Sequence, residues 1–408
     1  MKIHATTAVA KFECLKSDCP DTCCKGWSMQ VDDATFAKYQ GTELEAATAH
    51  DSDYSGKTAE IRVMKRDPQT DNCVKLTDGI CAIHKDYGAP MLGDACNFYP
   101  RVARKLGDET IMAASLSCPE IARLALFTEA PQAPAEIETE RLPHYMPTCQ
   151  TDGLSAVESL KIHTAFLAAC ASPDAPEKIM ARIYSTAASL ARIDKKDWPD
   201  AAPFMLKTAD TRLPQAVGAA DDKSKILQIF AAVIHATHKK LSPRLAEVIA
   251  HAENLLGVKI NWETLELSLL ENTPPSGREN INFTPSSGRG WGRVAESQPA
   301  SPNPPPNLLP KGGGATLRNY IAAQLSFTAF PFAGLGATLP EKAKLLCYKF
   351  ALAKVLINGL TTEAEIIQAI QSSARIIDHL ASPELIFKLM DGFGWNTEAR
   401  ILGIFLSL

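Results

Sequence analysis

Eight of the eleven cysteines in this 408-residue chain fall before residue 120. Cys14, Cys19, Cys23 and Cys24 read C-x4-C-x3-C-C, Cys73 and Cys81 follow as C-x7-C, and Cys96 and Cys118 stand singly. Thiols gathered on tight turns can point several sulfurs at one ion, and soft thiolates select zinc, copper(I) or iron–sulfur clusters over hard cations. A structural zinc takes four such ligands and so does a four-iron cluster. By spacing alone, zinc and iron–sulfur remain open, as do one site and two. A disulfide framework is disfavoured because the start, MKIHATTAVAKFEC, has no apolar signal segment. Cys149 lies beyond a connector and is not expected to be a ligand, and Cys170 and Cys347 sit in apolar helical patterns as core residues.

Composition narrows the partners. An apolar fraction of 46% is that of a globular protein with a real core, and a net charge of -4 argues against a general nucleic-acid binder. No run approaches the length of apolar chain that spans a bilayer. The expectation is a cytoplasmic monomer with neither nucleic acid nor membrane as partner.

The elements that must position the thiols are of two kinds. Residues 1–128 are broken by Pro20, Gly26, Pro68, Gly79, Gly88, Pro90 and Gly93. They read as an irregular cysteine-rich metal domain with short helices near Asp33–Tyr39 and Cys118–Phe127. Bound metal would supply folding energy that so small a core lacks. Residues 129–150, opening EAPQAPAEIETERLP, read as a connector. Residues 151–271 are helical: Leu154, Val157, Leu160, Ile162, Phe166 and Leu167 recur at helical spacing. Ser172-Pro173 and Ser242-Pro243 are expected N-caps, and Gly257 an expected stop. Residues 272–314, with PPSGREN, ASPNPPPNLLP and KGGG, read as a low-complexity linker or insertion. Residues 315–408 return to helix, with Pro340 opening a run that Asn358-Gly359 ends and Thr362 and Glu365 matching a capping box. The expected fold is mostly α, the metal domain packed on a helical body.

Several familiar motifs are missing. There is no P-loop, no H-E-x-x-H and no G-x-G-x-x-G after a strand, and Gly334 and Gly336 in AGLGATL match a glycine fingerprint only in part. Cys19 and Cys23 have the first interval of the radical-enzyme pattern C-x3-C-x2-C, but Cys24 follows at once.

The line from Cys14 through CPDTCCKGW to Val31-Asp32 resembles the opening of the flagellin lysine N-methylase family. So do CAIHKDYGAPMLGDACNFYPR from Cys81 to Arg101 and SLSCPEIARL at 115–124. LRNYIAAQLSFTAFPF at 317–332 and the helix at 341–357 are similar to the family's C-terminal part. The resemblance implies methyl transfer from S-adenosylmethionine to flagellin lysines, with a 4Fe-4S cluster on cysteines. It carries over Cys19, Cys23, Cys24, Cys73, Cys81, Cys96 and Cys118 as ligands, together with Cys14. Simple displacement at a sulfonium needs only alignment and a neutral amine, so the cluster is expected to anchor the cofactor or act in redox chemistry. A non-catalytic zinc- or iron-chelating protein is the alternative.

Around the thiols, His84, Tyr99 and Arg101 are the cofactor-binding candidates. His84 could be ligand, base or plain surface residue, and Arg101 could hold a carboxylate or merely form a surface ion pair. Trp27 is expected to shield the metal from water. Asp21, Asp32 and Asp33 could guide a lysine, although acidic residues at turns more often cap helices.

Overall fold

The computed structural model describes residues 2–27, 29–51, 61–139, 141–208, 221–237, 241–269 and 313–406. The expected linker lies almost wholly outside the described residues; its last two positions, Gly313 and Gly314, already belong to a helix. The chain divides into two compact units, one of residues 1–167, 322–334 and 378–381, the other of residues 168–321, 335–377 and 382–408.

The first unit is built on a sheet that the sequence reading did not anticipate. It runs β1 (Lys2–Thr6), α1 (Thr7–Ala10), α2 (Asp33–Tyr39), β2 (Thr48–Asp51) and β3 (Ile61–Met64). Two short strands β4 (Leu76–Thr77) and β5 (Ile80–Cys81) precede α3 (Ala82–Tyr87) and α4 (Asp94–Phe98). Then come β6 (Arg101–Leu106), β7 (Glu109–Ala114), α5 (Pro119–Phe127), β8 (Pro134–Glu138) and α6 (Ala156–Ala169). Four strands form one sheet in the order β6-β7-β1-β8, with β1 parallel to β7 and antiparallel to β8. The region is therefore not simply irregular. Its breakers punctuate strands of two to six residues, too short for periodicity to mark, and β1 finds its partners β7 and β8 more than a hundred residues on. β8 lies inside the stretch read as a connector, its five residues paired with Lys2–Thr6.

The β6–β7 hairpin turns through Gly107 and Asp108, and Gly107 has φ +67. A Cβ there would stand 3.2 Å from that of Ala156, so both turn and packing call for glycine. Ile3, Leu106, Ile111, Leu116, Ile121, Ile162 and Phe166 are buried in this unit, and the rings of Phe166 and Phe330 meet edge to face at 4.9 Å. α6 opens with a capping box. Ser155 Oγ accepts from the Glu158 amide at 3.3 Å, and Glu158 Oε2 accepts from the Ser155 amide at 2.9 Å.

The second unit is helical, as its periodicity predicts. It comprises α7 (Pro176–Leu190), α8 (Trp198–Thr208), α9 (Asp222–Ala236), α10 (Pro243–Leu256) and the ribbon β9 (Val258–Ile260) with β10 (Leu267–Leu269). Next come α11 (Gly313–Phe327), whose last residues belong to the first unit, α12 (Leu339–Ile357), α13 (Glu363–Ile377), α14 (Glu384–Gly392) and α15 (Glu398–Leu406). α12 is buried almost all round and packs against α7, α9, α10, α13 and α15. Ser242 caps α10 by accepting from the Leu245 amide, and Gly257 ends it in the left-handed conformation. Ser172 is not the cap of α7. Ala175 holds that position with Pro176 first in the helix, while Ser172 Oγ donates to Asp174 instead. α12 starts one residue before Pro340, from a capping box of Thr338 and Glu341. Gly336 is a structural glycine: at φ +116 its Cβ would come within 2.9 Å of the Lys342 backbone nitrogen. Among the described residues, no helix is long and apolar enough to cross a membrane.

Candidate metal centre

Backbone pairing brings distant cysteines together within the first unit. The Cys73 amide donates to the Cys24 carbonyl at 2.7 Å and the Gly26 amide to Asp71 at 3.1 Å, so the Cys23-Cys24 turn lies along 71–73. β4 and β5 pair through a turn at Asp78 and Gly79, both at positive φ, and Leu76 stands opposite Cys81. Cys81 is then the N-cap residue of α3. Cys96 rides on α4. The Asp94 amide donates to Asp32 at 2.9 Å and the Tyr39 hydroxyl to the Met91 carbonyl at 2.6 Å, tying α4 and its approach to α2. A small apolar cluster of Val31, Tyr39, Leu44, Ala47, Met64, Ile83 and Leu92 backs the site, with Cys73, Cys81 and Cys96 packed against it.

The thiols feel one another. The Cys23 thiol, more than the opposing hydrogen bond from Cys81, pushes Cys24 up to about 12, with burial and Cys73 adding to the rise. Cys81 is raised by Cys24 and by burial, against the amides of His84 and Ile83, which favour its thiolate. Burial raises Cys73, partly offset by the Lys75 amide, with Cys81 adding to the rise. Burial also raises Cys96, helped by Cys24, Cys81 and Cys73. Cys24, Cys73, Cys81 and Cys96 therefore form one set in which each thiolate would disfavour the next, with Cys23 at its edge. A cation placed among them would reverse every one of these shifts, since a coordinated thiol is deprotonated outright.

The remaining candidates fall elsewhere in the unit. Cys118 is the N-cap residue of α5. Burial pushes it up to about 12 against the Ile121 and Glu120 amides, with Cys19 and Cys14 adding to the rise. Cys14 is exposed and accepts from the Lys16 amide at 3.4 Å. Arg101, whose charge burial disfavours and Cys14 supports, lies 5.7 Å from the Phe12 ring centroid. Its Nε is buried without a hydrogen-bond partner. The eight early cysteines thus divide into a set around Cys24 and a set around Cys118. Cys149, Cys170 and Cys347 are buried.

Asp32 accepts from the Thr35 amide and hydroxyl, as expected of a cap, and with Asp94 and His144 it forms a cluster that the sequence did not suggest. Ligand atoms of these three lie within 4.8 Å of one another, the one such grouping of His, Cys, Asp or Glu among the described residues. Arg141 donates to Asp94 at 2.9 Å, and the His144 ring lies 3.0 Å from the same carboxylate. Burial raises the Asp32 carboxyl, but the Asp94 and Thr35 amides, the Thr35 hydroxyl and His144 together hold it below its ordinary value. These hydrogen bonds make the group a clasp between α2, α4 and 141–144. Among the described residues, no three cysteine sulfurs lie mutually within 4.8 Å.

A polar network stands at the end of β7. The hydroxyls of Ser115 and Ser117, each 1% exposed, are 2.8 Å apart. Ser117 Oγ lies 3.1 Å from the Tyr99 hydroxyl and 3.0 Å from His379 Nε2. Ser115 donates to Asp378 at 3.4 Å, and Gln324 donates to both Asp378 oxygens at 3.3 and 3.4 Å. Trp27 meets the rings of Tyr99 and His379 edge to face at 5.3 and 4.7 Å. Trp27 and Tyr99 were legible as neighbours of cysteines. Ser115, Ser117, Asp378 and His379 were not, because more than 260 residues separate the two halves of the Ser117–His379 pair. His84 is exposed on α3.

Over 118 residues, 28% of its length, the chain is 30% identical to the flagellar biosynthetic protein FliU of Salmonella muenchen, and the match spans 70% of that protein. This chain belongs to the flagellin lysine N-methylase family. Two further family members, the lysine-N-methylases of Salmonella choleraesuis and Salmonella typhimurium, are likewise 30% identical over 118 residues, and the chain spans 29% of the length of each. No family model matches the chain. No solved structure matches it either.

Proposed function

We propose that this protein is an S-adenosylmethionine-dependent lysine N-methyltransferase acting on flagellin, with a four-iron cluster held by Cys24, Cys73, Cys81 and Cys96. The observation that carries the reading is the convergence of those four thiols, from four separate stretches of chain, on one apolar-backed site. The donor set fits a soft metal group. The name lysine-N-methylase supports the reaction, and the name flagellar biosynthetic protein supports a flagellar target.

Bound there, a cluster would supply an anchoring site for the cofactor's amino and carboxylate groups, or an electron. The chain's own residues do the rest. Amides at the start of α3 favour the Cys81 thiolate. Val31, Ile83 and Leu92 keep water from one side of the site. Arg101 carries a buried guanidinium edge able to meet a carboxylate. His84, being exposed, suits cofactor contact less well than Tyr99 or Arg101.

Anaerobic purification tests the reading. Iron and sulfide in four-to-four ratio with broad visible absorbance are expected, as is a mass increase on lysines of flagellin coexpressed with this chain. Colourless protein with stoichiometric zinc, and flagellin of unchanged mass, would assign the thiols to a non-catalytic chelating module.

A further inference from the structure

A lysine ammonium has a pKa near 10.4 and must lose a proton before its nitrogen can attack a methyl group, so a lysine methylase needs a place to hold the cation and take that proton. Resting on the methyltransferase reading, we propose that Trp27, Tyr99, Asp378 and His379 form the acceptor-lysine site. All four lie in the first unit.

Three observations carry the assignment. The first is the pair of aromatic rings: Trp27 lies 5.3 Å from Tyr99 and 4.7 Å from His379, and aromatic faces attract cations, indole most strongly. The second is the combination of imidazole and carboxylate at the same place. The donor's reacting sulfonium has no proton to lose, whereas the attacking ammonium must lose one. A base at this place therefore serves the acceptor, and a carboxylate beside it can hold the ammonium while the proton is taken. The third is the difference in burial along the network. Ser115, Ser117 and Gln324 are each 1% exposed and hold the polar ends of His379 and Asp378, while His379 itself is exposed. The buried hydroxyls thus hold one imidazole nitrogen in place beside the Trp27 ring.

The step balances as a displacement. With His379 Nε2–H donated to Ser117 Oγ, Nδ1 carries the lone pair and takes one proton from the lysine Nζ, passing it on to water. The freed amine lone pair forms the new nitrogen–carbon bond to the sulfonium methyl of S-adenosylmethionine. The carbon–sulfur bond breaks with its electron pair left on sulfur, which departs as a neutral thioether. The product is a methylammonium, which Asp378 holds as it held the substrate. Tyr99 and Ser117 position the imidazole.

The test uses the full chain, purified anaerobically, with flagellin and S-adenosylmethionine. His379→Ala is expected to lower kcat about 10²–10⁴-fold with KM within about threefold, added imidazole recovering part of the rate. His379→Gln should show the same loss without rescue. Asp378→Asn should weaken binding of a lysine peptide about tenfold, and leave a norleucine peptide unaffected, in calorimetry without methyl donor. All three variants should keep wild-type iron content and melting temperature. Wild-type rates in the His379 variants would overturn the assignment, as would loss of iron in step with loss of activity. A wild-type protein that methylates nothing would instead bring down the enzymatic reading itself.

Discussion

Adding a thiophilic cation to the metal-free chain at pH 7 must displace protons from Cys24, Cys73, Cys81 and Cys96, and the number displaced reports how these thiols are held. All four are raised above the ordinary value of 9.0, Cys24 to about 12. At pH 7 each is therefore a thiol, and each must give up about one proton on becoming a ligand. About four protons should appear per site, and apparent affinity should climb by roughly 10⁴ for each pH unit below the thiol range. Cadmium titrations by calorimetry, in two buffers of different ionisation heat, count the protons directly. The same shifts govern stability without metal. A thiol raised by folding binds its proton more tightly in the native state. Its stabilisation is full below the unfolded value near 9.0 and is lost as pH rises toward about 12 for Cys24. Metal-free protein should then melt lower at pH 10 than at pH 7. Release of one proton or fewer, or a flat affinity between pH 6 and 8, would refute the mutual placement of the four thiols.

Cys81→Ser should lose bound metal, since a hydroxyl is a poor stand-in for thiolate, whereas buried Cys347→Ser should keep it and cost about 1–3 kcal/mol in denaturant unfolding. Chelation should open residues 14–98 to protease while leaving α7–α15 comparatively resistant, as mapped by mass spectrometry of the fragments; equal cleavage with and without metal would count against a folding role for it. Gly336→Ala should destabilise by more than about 1 kcal/mol, because φ +116 and a backbone nitrogen at 2.9 Å both oppose a Cβ; an unchanged melting temperature would contradict that geometry. Thr338→Ala removes one arm of the α12 capping box and should cost about 1 kcal/mol by chemical denaturation.

What the sequence made legible follows the range of the interactions involved. α2, α5, α10, α12 and α13 were readable because caps, prolines and 3.6-residue periodicity are local signals. Ser242, Gly257 and Thr362 with Glu365 make the hydrogen bonds or take the conformation their positions imply. The sheet was not readable. β1 pairs with β7 and β8, more than a hundred residues away, and although KIHAT and PAEIE alternate, runs of five residues are too short for that pattern to stand out. A second local cue was Gly107-Asp108 between RVARKL and ETIMAA, the kind of two-residue link that turns a hairpin. The cysteines marked a candidate site by residue type, but their division into two sets depends on the β4–β5 ribbon and on the pairing of Lys25 with Asn72. Asp378 and His379 carried no signal at all. They follow α13, a helix that reads as ordinary core, and only folding brings them to Ser115 and Ser117.

The two chemistries proposed for the first unit are supported in different ways, and the difference follows from the core. The apolar cluster behind the thiols holds seven buried residues spread from Val31 to Leu92, joined by short ribbons and helices of five to seven residues. Each such side chain contributes about 1.5–3 kcal/mol on burial, much of it offset by the entropy of ordering so much loop. A structural metal adds on the order of 10 kcal/mol at a single point, enough to decide whether this layer is ordered. Ser115 and Ser117 instead continue directly from β7, a six-residue strand with hydrogen-bonded neighbours on both sides, and the Ser115 amide donates to the Pro100 carbonyl at 3.0 Å just before β6. The hydroxyls that orient His379 thus hang on sheet backbone, which the metal does not need to build. Removing metal should therefore loosen the layer from Val31 to Leu92 well before it disturbs the Ser117–His379 hydrogen bond.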